Sequence, residues 1–235
     1  QYGSTVAIGN VVVSPSEFMP RLFAENGRLL DSQGRITLDT PEALRALENY
    51  RETYSYSDRT IYDFWKNALE GFADGTAAMT VVFINYASHI LNSQMSRIAG
   101  KLGFAPVPGG KPLLGGGVIG IAQSCTCPAA ACKFLEWLYA DLVAPVFTML
   151  GGLSPCRSAY SNRDISEQYP WLSTARKSFP TAQRRSNSTY YQNFSELQLE
   201  TILAAHVQQA VLGVCSPEEA LKQAQEDCNR YFQPW

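Results

Sequence analysis

The chain has 235 residues, 46% of them hydrophobic and 17% charged, and 19 Lys+Arg against 21 Asp+Glu leave a net charge of −2. That is too apolar for a disordered chain, and the near-neutral balance excludes the broad basic surface a general nucleic-acid binder offers to phosphate. No apolar run approaches the roughly 20 residues of a membrane-spanning helix. The length fits one large domain or two small ones, each with enough side chains to bury a core. The chain opens on Gln1 rather than Met, with no basic leader, so removal of an upstream start is expected and localisation is not read from a signal.

The first helix signal is Asp39-Thr40-Pro41-Glu42-Ala43-Leu44. Thr40 can accept from the first free amides, Pro41 suits the first helical position, and Glu42 faces the positive end of the dipole. Leu44 and Leu47 then predict one apolar face as far as Tyr54. Residues 77–84 form a continuous, β-branched apolar run and predict a buried strand. Residues 104–108 hold two prolines and predict extended chain. Residues 118–122, after three glycines, predict another strand. A helix is predicted from Pro128, with Ala131, Phe134, Leu135, Leu138 and Leu142 along one face. Residues 154–191, dense in Ser, Arg, Asn, Pro and Tyr, predict irregular chain. Residues 194–212 predict a helix whose apolar face carries His206, read as a core histidine rather than a catalyst. Ser216-Pro217-Glu218-Glu219 is spaced as a capping box and opens the last helix, with Leu221, Ala224, Cys228 and Tyr231 at steps of three and four. Strands alternating with long helices imply an α/β fold.

No reaction motif accompanies these elements. HExxH and GxSxG are absent from the sequence. The stretch from Gly103 through Gly109-Gly110-Lys111-Pro112 has the wrong glycine spacing for a phosphate loop, and Pro112 stands where a hydroxyl must meet magnesium. With two histidines, a Ser/His or Cys/His pair has few candidates. Cys125-Thr126-Cys127 is too tight for a metal pair, and neither histidine is near it in sequence, so no metal or cofactor is expected. Six cysteines permit three disulfides without establishing them, and six free thiols would suit a reducing compartment. The aromatic content is the more suggestive feature: 12 Tyr, 11 Phe and 4 Trp. Several fall in predicted loops or at strand ends, among them Tyr2, Phe83, Tyr86, Trp171, Tyr190 and Tyr191. Each alone can be packing. As a set they suit a sugar, whose C–H faces stack on rings while Asn, Arg and backbone amides take its hydroxyls.

Seven passages carry a resemblance. Phe23-Ala24-Glu25-Asn26-Gly27, Gly34 and Asp39-Thr40-Pro41-Glu42-Ala43 form the first. Phe72-Ala73-Asp74-Gly75-Thr76-Ala77-Ala78-Met79 is the second, and Gly103-Phe104-Ala105-Pro106-Val107-Pro108-Gly109-Gly110 the third. Gly115-Gly116-Gly117-Val118-Ile119-Gly120-Ile121, Ala129-Ala130-Ala131-Cys132-Lys133-Phe134-Leu135, Gly151-Gly152-Leu153-Ser154-Pro155-Cys156-Arg157 and Ser216-Pro217-Glu218-Glu219-Ala220-Leu221 follow in order. Together they resemble the extracellular solute-binding proteins of ABC importers, in the large family 1 that includes maltose- and oligosaccharide-binding proteins.

The resemblance implies a periplasmic-binding-protein-like α/β fold of type II, with two hinged lobes and a solute in the cleft. It begins partway through the family pattern. It therefore implies mainly the second lobe, residues 1–104 and 154–235, plus a returning first-lobe segment at 105–153. That segment should lack part of its usual core, so it must pack on the second lobe, pair with another chain or leave an exposed apolar patch, and oligomerisation or rearrangement is expected. The ligand contacts carried over are Phe83, Asn85 and Tyr86 at a strand end, the open backbone of Gly116 and Gly117, and Arg157 after the Gly-Leu-Ser-Pro turn; Tyr2 and Tyr190 are further aromatic candidates. The implied function is non-catalytic binding of a carbohydrate for an ABC permease, by a periplasmic protein or an extracellular lipoprotein. Two other functions compete: a cytoplasmic sensing domain of a transcriptional regulator with the same fold, and an enzyme on a related scaffold.

Overall fold

The computed structural model describes residues 1–9, 11–58, 64–161 and 163–235, with the side chains of 164 and 168 left aside. Among these, two strands and ten α-helices follow in order: β1 Tyr2–Thr5, α1 Val13–Ala24, α2 Pro41–Ser55, α3 Trp65–Ala73, β2 Ala77–Thr80, α4 Ala87–Leu91, α5 Pro128–Leu138, α6 Val143–Met149, α7 Arg163–Gln168, α8 Pro170–Ser178, α9 Glu196–Val211 and α10 Pro217–Tyr231. The chain divides into two compact units. The first comprises Gln1–Val82, Val107–Leu114 and Thr181–Trp235, and the second Phe83–Pro106 and Gly115–Pro180. These boundaries differ from the divisions at 104/105 and 153/154 expected of the lobes.

The first unit is a helical layer on a small parallel sheet. β1 and β2 pair in the register Tyr2↔Ala77, Ser4↔Met79 and Thr5↔Thr80. The chain beyond β1 is buried at Val6, Ala7 and Ile8, as are Phe18 and Leu22 of α1, Leu47 of α2, and Leu199 and Leu203 of α9. α2 starts as its sequence dictates, with the Thr40 hydroxyl accepting from the Ala43 amide. α10 starts on Ser216, whose hydroxyl accepts from the Glu219 amide at 3.1 Å, and its Leu221, Ala224 and Cys228 are buried.

The second unit has its own core. Ala87, Ala144, Ala159, Tyr160, Trp171 and Leu172 are buried together, with Ile84, Phe104 and Ile165 packed against them. Gly151 sits at φ +97° where a Cβ would strike the Ser88 hydroxyl, so that turn requires glycine.

Four expectations need correction. The strand in 77–84 stops at Thr80, and Met79 is 64% exposed. A 3-10 turn, Ile84–Tyr86, follows instead. Residues 118–122 join no strand, and Val118 is fully exposed; a strand needs a neighbour, and none among the described residues reaches it. The stretch 154–191 is not irregular throughout, since α7 and α8 lie within it. α8 starts on Pro170, tolerated at the first helical position, and buries Trp171, Leu172 and Ala175. The sheet is thus small and the fold mostly helical. The helix from Pro128 is present, but it ends at Leu138, leaving Leu142 outside it and 87% exposed.

Candidate functional site

In the first unit, α1 begins with polar side chains where a core helix would carry apolar ones. Ser14, Ser16 and Glu17 are all buried. The Ser14 hydroxyl donates to the Gly9 carbonyl, and the Tyr50 hydroxyl donates to the Ala7 carbonyl at 2.5 Å. Arg21 donates to the Glu17 carboxylate at 3.1 Å and lies 4.6 Å over the Tyr50 ring. Burial outweighs the pull of Arg21 and raises the Glu17 carboxyl above its ordinary range.

Ser16 joins this cluster to a second carboxylate. Arg185 donates to Glu200 at 2.5 Å and to the Ser16 hydroxyl at 3.2 Å. Glu200 is 2% exposed on the inward face of α9, and burial raises its carboxyl too, against Arg185. The Ser186 amide donates to Glu196 at 2.9 Å. Just before α1, Val11 has φ +30°, a strained conformation for a β-branched residue. Such strain collects at ligand clamps and functional turns.

Arg185 also lines a groove of about 580 Å³ within this unit, walled by the loops 28–34 and 182–189. Arg28, Gln33, Arg184 and Asn187 face it. The walls are stitched by the Ser188 hydroxyl donating to the Gly34 carbonyl at 2.5 Å. Asp31 holds its own loop by accepting from the Gln33 and Arg35 amides at 2.8 and 2.9 Å. The donors left facing the groove suit hydroxyl or carboxylate oxygens.

The second unit holds six of the eight residues carried over from sequence. Phe83, Asn85 and Tyr86 sit together on the turn before α4. Ile84 and Ala87 point into the core, so Asn85 is exposed. Tyr86 is half-buried, and burial raises its phenol above the ordinary value. The Phe83 ring lies so close to Gly115 that a Cβ there would come within 2.6 Å of it. Nothing lies within 4 Å of where side chains on Gly116 and Gly117 would stand, so their backbone is open. Arg157 begins a separate 3-10 turn, Arg157–Tyr160, and is exposed.

The other two belong to the first unit. Tyr2 opens β1 opposite Ala77, at the end of the strand pair away from Thr5 and Thr80, and is 48% exposed. Tyr190 packs edge-on against Tyr191 at 5.0 Å, within a cluster continued by Phe232. His206 lies on the α9 face where it was expected, but it is paired. Its Nε2 is 2.9 Å from Asp227 of α10, and its Nδ1 is buried without a partner.

Sequence reasoning missed Ser16, Glu17, Arg185 and Glu200. One signal was legible: Glu200 interrupts the apolar stripe of Leu199, Leu203 and Val207. A charge on a buried face needs a partner, and Arg185 supplies it.

The sequence profile described as bacterial extracellular solute-binding protein matches residues 11–174. The chain belongs to that family. Membership places it among extracellular binding proteins rather than enzymes, and no described helix is long and apolar enough to cross a membrane. Solved structures agree on the fold. The chain is similar to an ABC-transporter solute-binding protein from Agrobacterium radiobacter K84 in complex with ribitol, at 22% identity and TM-score 0.78, over 99% of this chain and 60% of that one. It is similar to the maltose-bound protein MalE3 of T. maritima, at 22% identity and TM-score 0.80, over 96% and 60%. It is similar to a solute-binding protein from Thermotoga lettingae TMO bound with alpha-D-tagatose, at 26% identity and TM-score 0.76, over 97% and 59%. The chain thus spans about 60% of the length of the solved relatives it matches.

Proposed function

We propose that this chain takes part in binding a neutral polyhydroxylated solute, a sugar, sugar alcohol or oligosaccharide, without altering it, for delivery to the permease of an ABC importer. One observation carries the reading: family membership, joined to solved relatives whose bound solutes are ribitol, maltose and tagatose. The first unit is read as the body of the second lobe, and the second unit as containing the returning first-lobe segment. Phe83, Asn85, Tyr86, the backbone of Gly116 and Gly117, and Arg157 form one set of contacts. Tyr86 stacks on a C–H face, Asn85 and Arg157 take hydroxyls, and the glycine amides approach closely because no side chain stands in the way. Arg185 and Ser16 form another set, fixed by Glu200. Tyr2 and Tyr190 remain aromatic candidates on the first unit. Periplasmic or lipid-anchored placement outside the cell goes with this reading.

Isothermal calorimetry with ribitol, maltose and tagatose tests it. Tyr86→Ala is expected to weaken binding of the preferred solute by about 1–3 kcal/mol, the loss of an aromatic contact in a desolvated site. Unchanged affinity would remove Tyr86 from the site, and no heat with any of the three would remove the solute class.

Six free cysteines favour a second reading, a cytoplasmic sensing domain with the same fold. Six thiols titrating after denaturation without reductant, in protein purified from its native compartment, would support it.

A further inference from the structure

The groove walled by loops 28–34 and 182–189 carries positive charge that its neighbours do not neutralise. The arginines on and beside its walls divide into two kinds. Arg35 pairs with Asp31 at 2.7 Å, and Arg185 with Glu200 at 2.5 Å. Arg28 and Arg184 are exposed on the walls, and neither has a carboxylate partner among the described residues. Asp31 does not cancel them, because its carboxylate is taken by Arg35 and by two amides of its own loop. Glu196 brings one carboxylate to the second wall, where the amide and hydroxyl of Ser186 donate to it. Lys111 brings one ammonium to the first, where it donates to the Asn26 side chain. These two offset each other, and the charge of Arg28 and Arg184 remains. A chain of net charge −2 repels a free oxyanion at long range, so a concave cationic site is where one is drawn in.

The second observation is that the walls are built before any ligand arrives. The Ser188 hydroxyl donates to the Gly34 carbonyl and accepts from the Tyr190 amide at 3.2 Å. The Tyr191 hydroxyl accepts from the Ile36 amide at 2.9 Å. Both loops are therefore pinned to one another, and Arg185 ties the second to the buried Glu200. Phe23 and Leu29, 4% and 1% exposed, give the groove an apolar floor. A preformed site spends little of its binding energy on ordering itself.

We propose that this groove is a second binding site, for a small polyol that carries an oxyanion, either a carboxylate or a phosphate. Arg28 and Arg184 hold the oxyanion, since a guanidinium offers it two parallel N–H donors. Gln33, Asn187 and Thr189 supply neutral donors and acceptors for hydroxyls. The volume of about 580 Å³ is that of a small-molecule site and far exceeds a bare ion. An acidic polypeptide fits less well, because the cations gather in one pocket between two short loops instead of along an open face. Arg185 is not among the proposed contacts: its guanidinium is already spent on Glu200 and Ser16. The inference goes beyond the solute reading and needs neither the neutral solute nor the permease.

The test titrates the whole 235-residue chain by calorimetry with glucuronate, glucose 6-phosphate, glucose and inorganic phosphate, at low and at raised salt. One of the two anionic sugars is expected to bind at least about tenfold more tightly than glucose, and to weaken as salt rises. A preference for glucuronate assigns a carboxylate, and a preference for glucose 6-phosphate assigns a phosphate. Arg28→Gln and Arg184→Gln should each weaken that sugar by about tenfold. Both side chains are exposed, so circular dichroism of the variants should match the parent. The Nε–Hε resonances of Arg28 and Arg184 should shift during the titration of the parent, which locates the ligand without any substitution. Binding of ribitol, maltose or tagatose should be the same in both variants as in the parent.

Four results overturn the inference. One is that neither anionic sugar binds more tightly than glucose. Another is inorganic phosphate binding as tightly as the anionic sugars, which would leave a non-specific cationic patch. The third is an anionic sugar that binds both variants as it binds the parent and leaves both arginine resonances unmoved. The fourth is displacement of a bound neutral solute by the anionic sugar, which would put both ligands in one site. A chain that ignores the neutral solutes yet holds the anionic sugar through Arg28 and Arg184 would sink the solute reading alone, so the two failures are distinguishable.

Discussion

Arg185 and Glu200 show how one pair of side chains can matter more than its surface counterparts. The exposed pairs, such as Arg163 with Glu167, are worth little because water screens them. Glu200 is buried, and removing Arg185 leaves its charge uncompensated. Arg185→Met is therefore expected to destabilise the first unit by about 3 kcal/mol, and the double variant Arg185→Met/Glu200→Leu by less than that single change. Urea titrations of the variants check this; a double variant that loses the sum of the singles would refute the coupling. The same carboxyls set a pH dependence. Glu17 and Glu200 both have folded-state values above the ordinary 4.5. The folded protein therefore binds more protons than the unfolded chain between 4.5 and the raised values. Their contribution is fully present below 4.5 and is lost as pH rises through the folded values. The thermal midpoint is expected to fall across that window on going up in pH, and Glu200→Gln should flatten the slope. A midpoint whose slope in that window is the same in Glu200→Gln as in the parent would exclude Glu200 as a source.

At the scale of elements, local chemistry fixed the helix starts and long-range chemistry fixed everything else. Thr40 and Ser216 were readable as caps because a hydroxyl three residues before a free amide is a local fact. Ser216→Ala is expected to cost about 1 kcal/mol, read from the urea midpoint, and Ser216→Asp should retain most of the stability. Equal loss in both variants would mean that the hydroxyl does something other than cap. The strand expected across 118–122 failed for the opposite reason. Its residues are right for a strand, but a strand exists only through its neighbour, and the sequence of one segment does not say whether the neighbour is present. α7 and α8 were hidden in 154–191 because Ser, Asn and Pro read as loop when Trp171 and Leu172 are not credited with a core to enter. The site divided in the same way. Phe83, Asn85 and Tyr86 share one turn and were found together, whereas Ser16, Arg185 and Glu200 come from distant segments, and only Glu200 left a mark in its own periodicity.

For the whole molecule, the six thiols report on the two units separately. Cys228 is fully buried on α10 of the first unit, and burial pushes its thiol up to about 12. It is unreactive until that unit opens, because the thiolate is the reacting form. Cys156 lies in the second unit, half-buried, with its Sγ 3.5 Å from the Tyr139 carbonyl. Cys127 and Cys132 are already exposed. The second unit has the smaller buried core and leaves α5 uncovered, so it has less apolar burial holding it closed. In a urea series with a maleimide, Cys127 and Cys132 are expected to label at once, Cys156 at low urea, and Cys228 only at the main transition seen by circular dichroism. The separation between Cys156 and Cys228 measures how far the two cores are independent. If both label at a single midpoint, the two units unfold as one cooperative block, and the smaller core draws its stability from the larger.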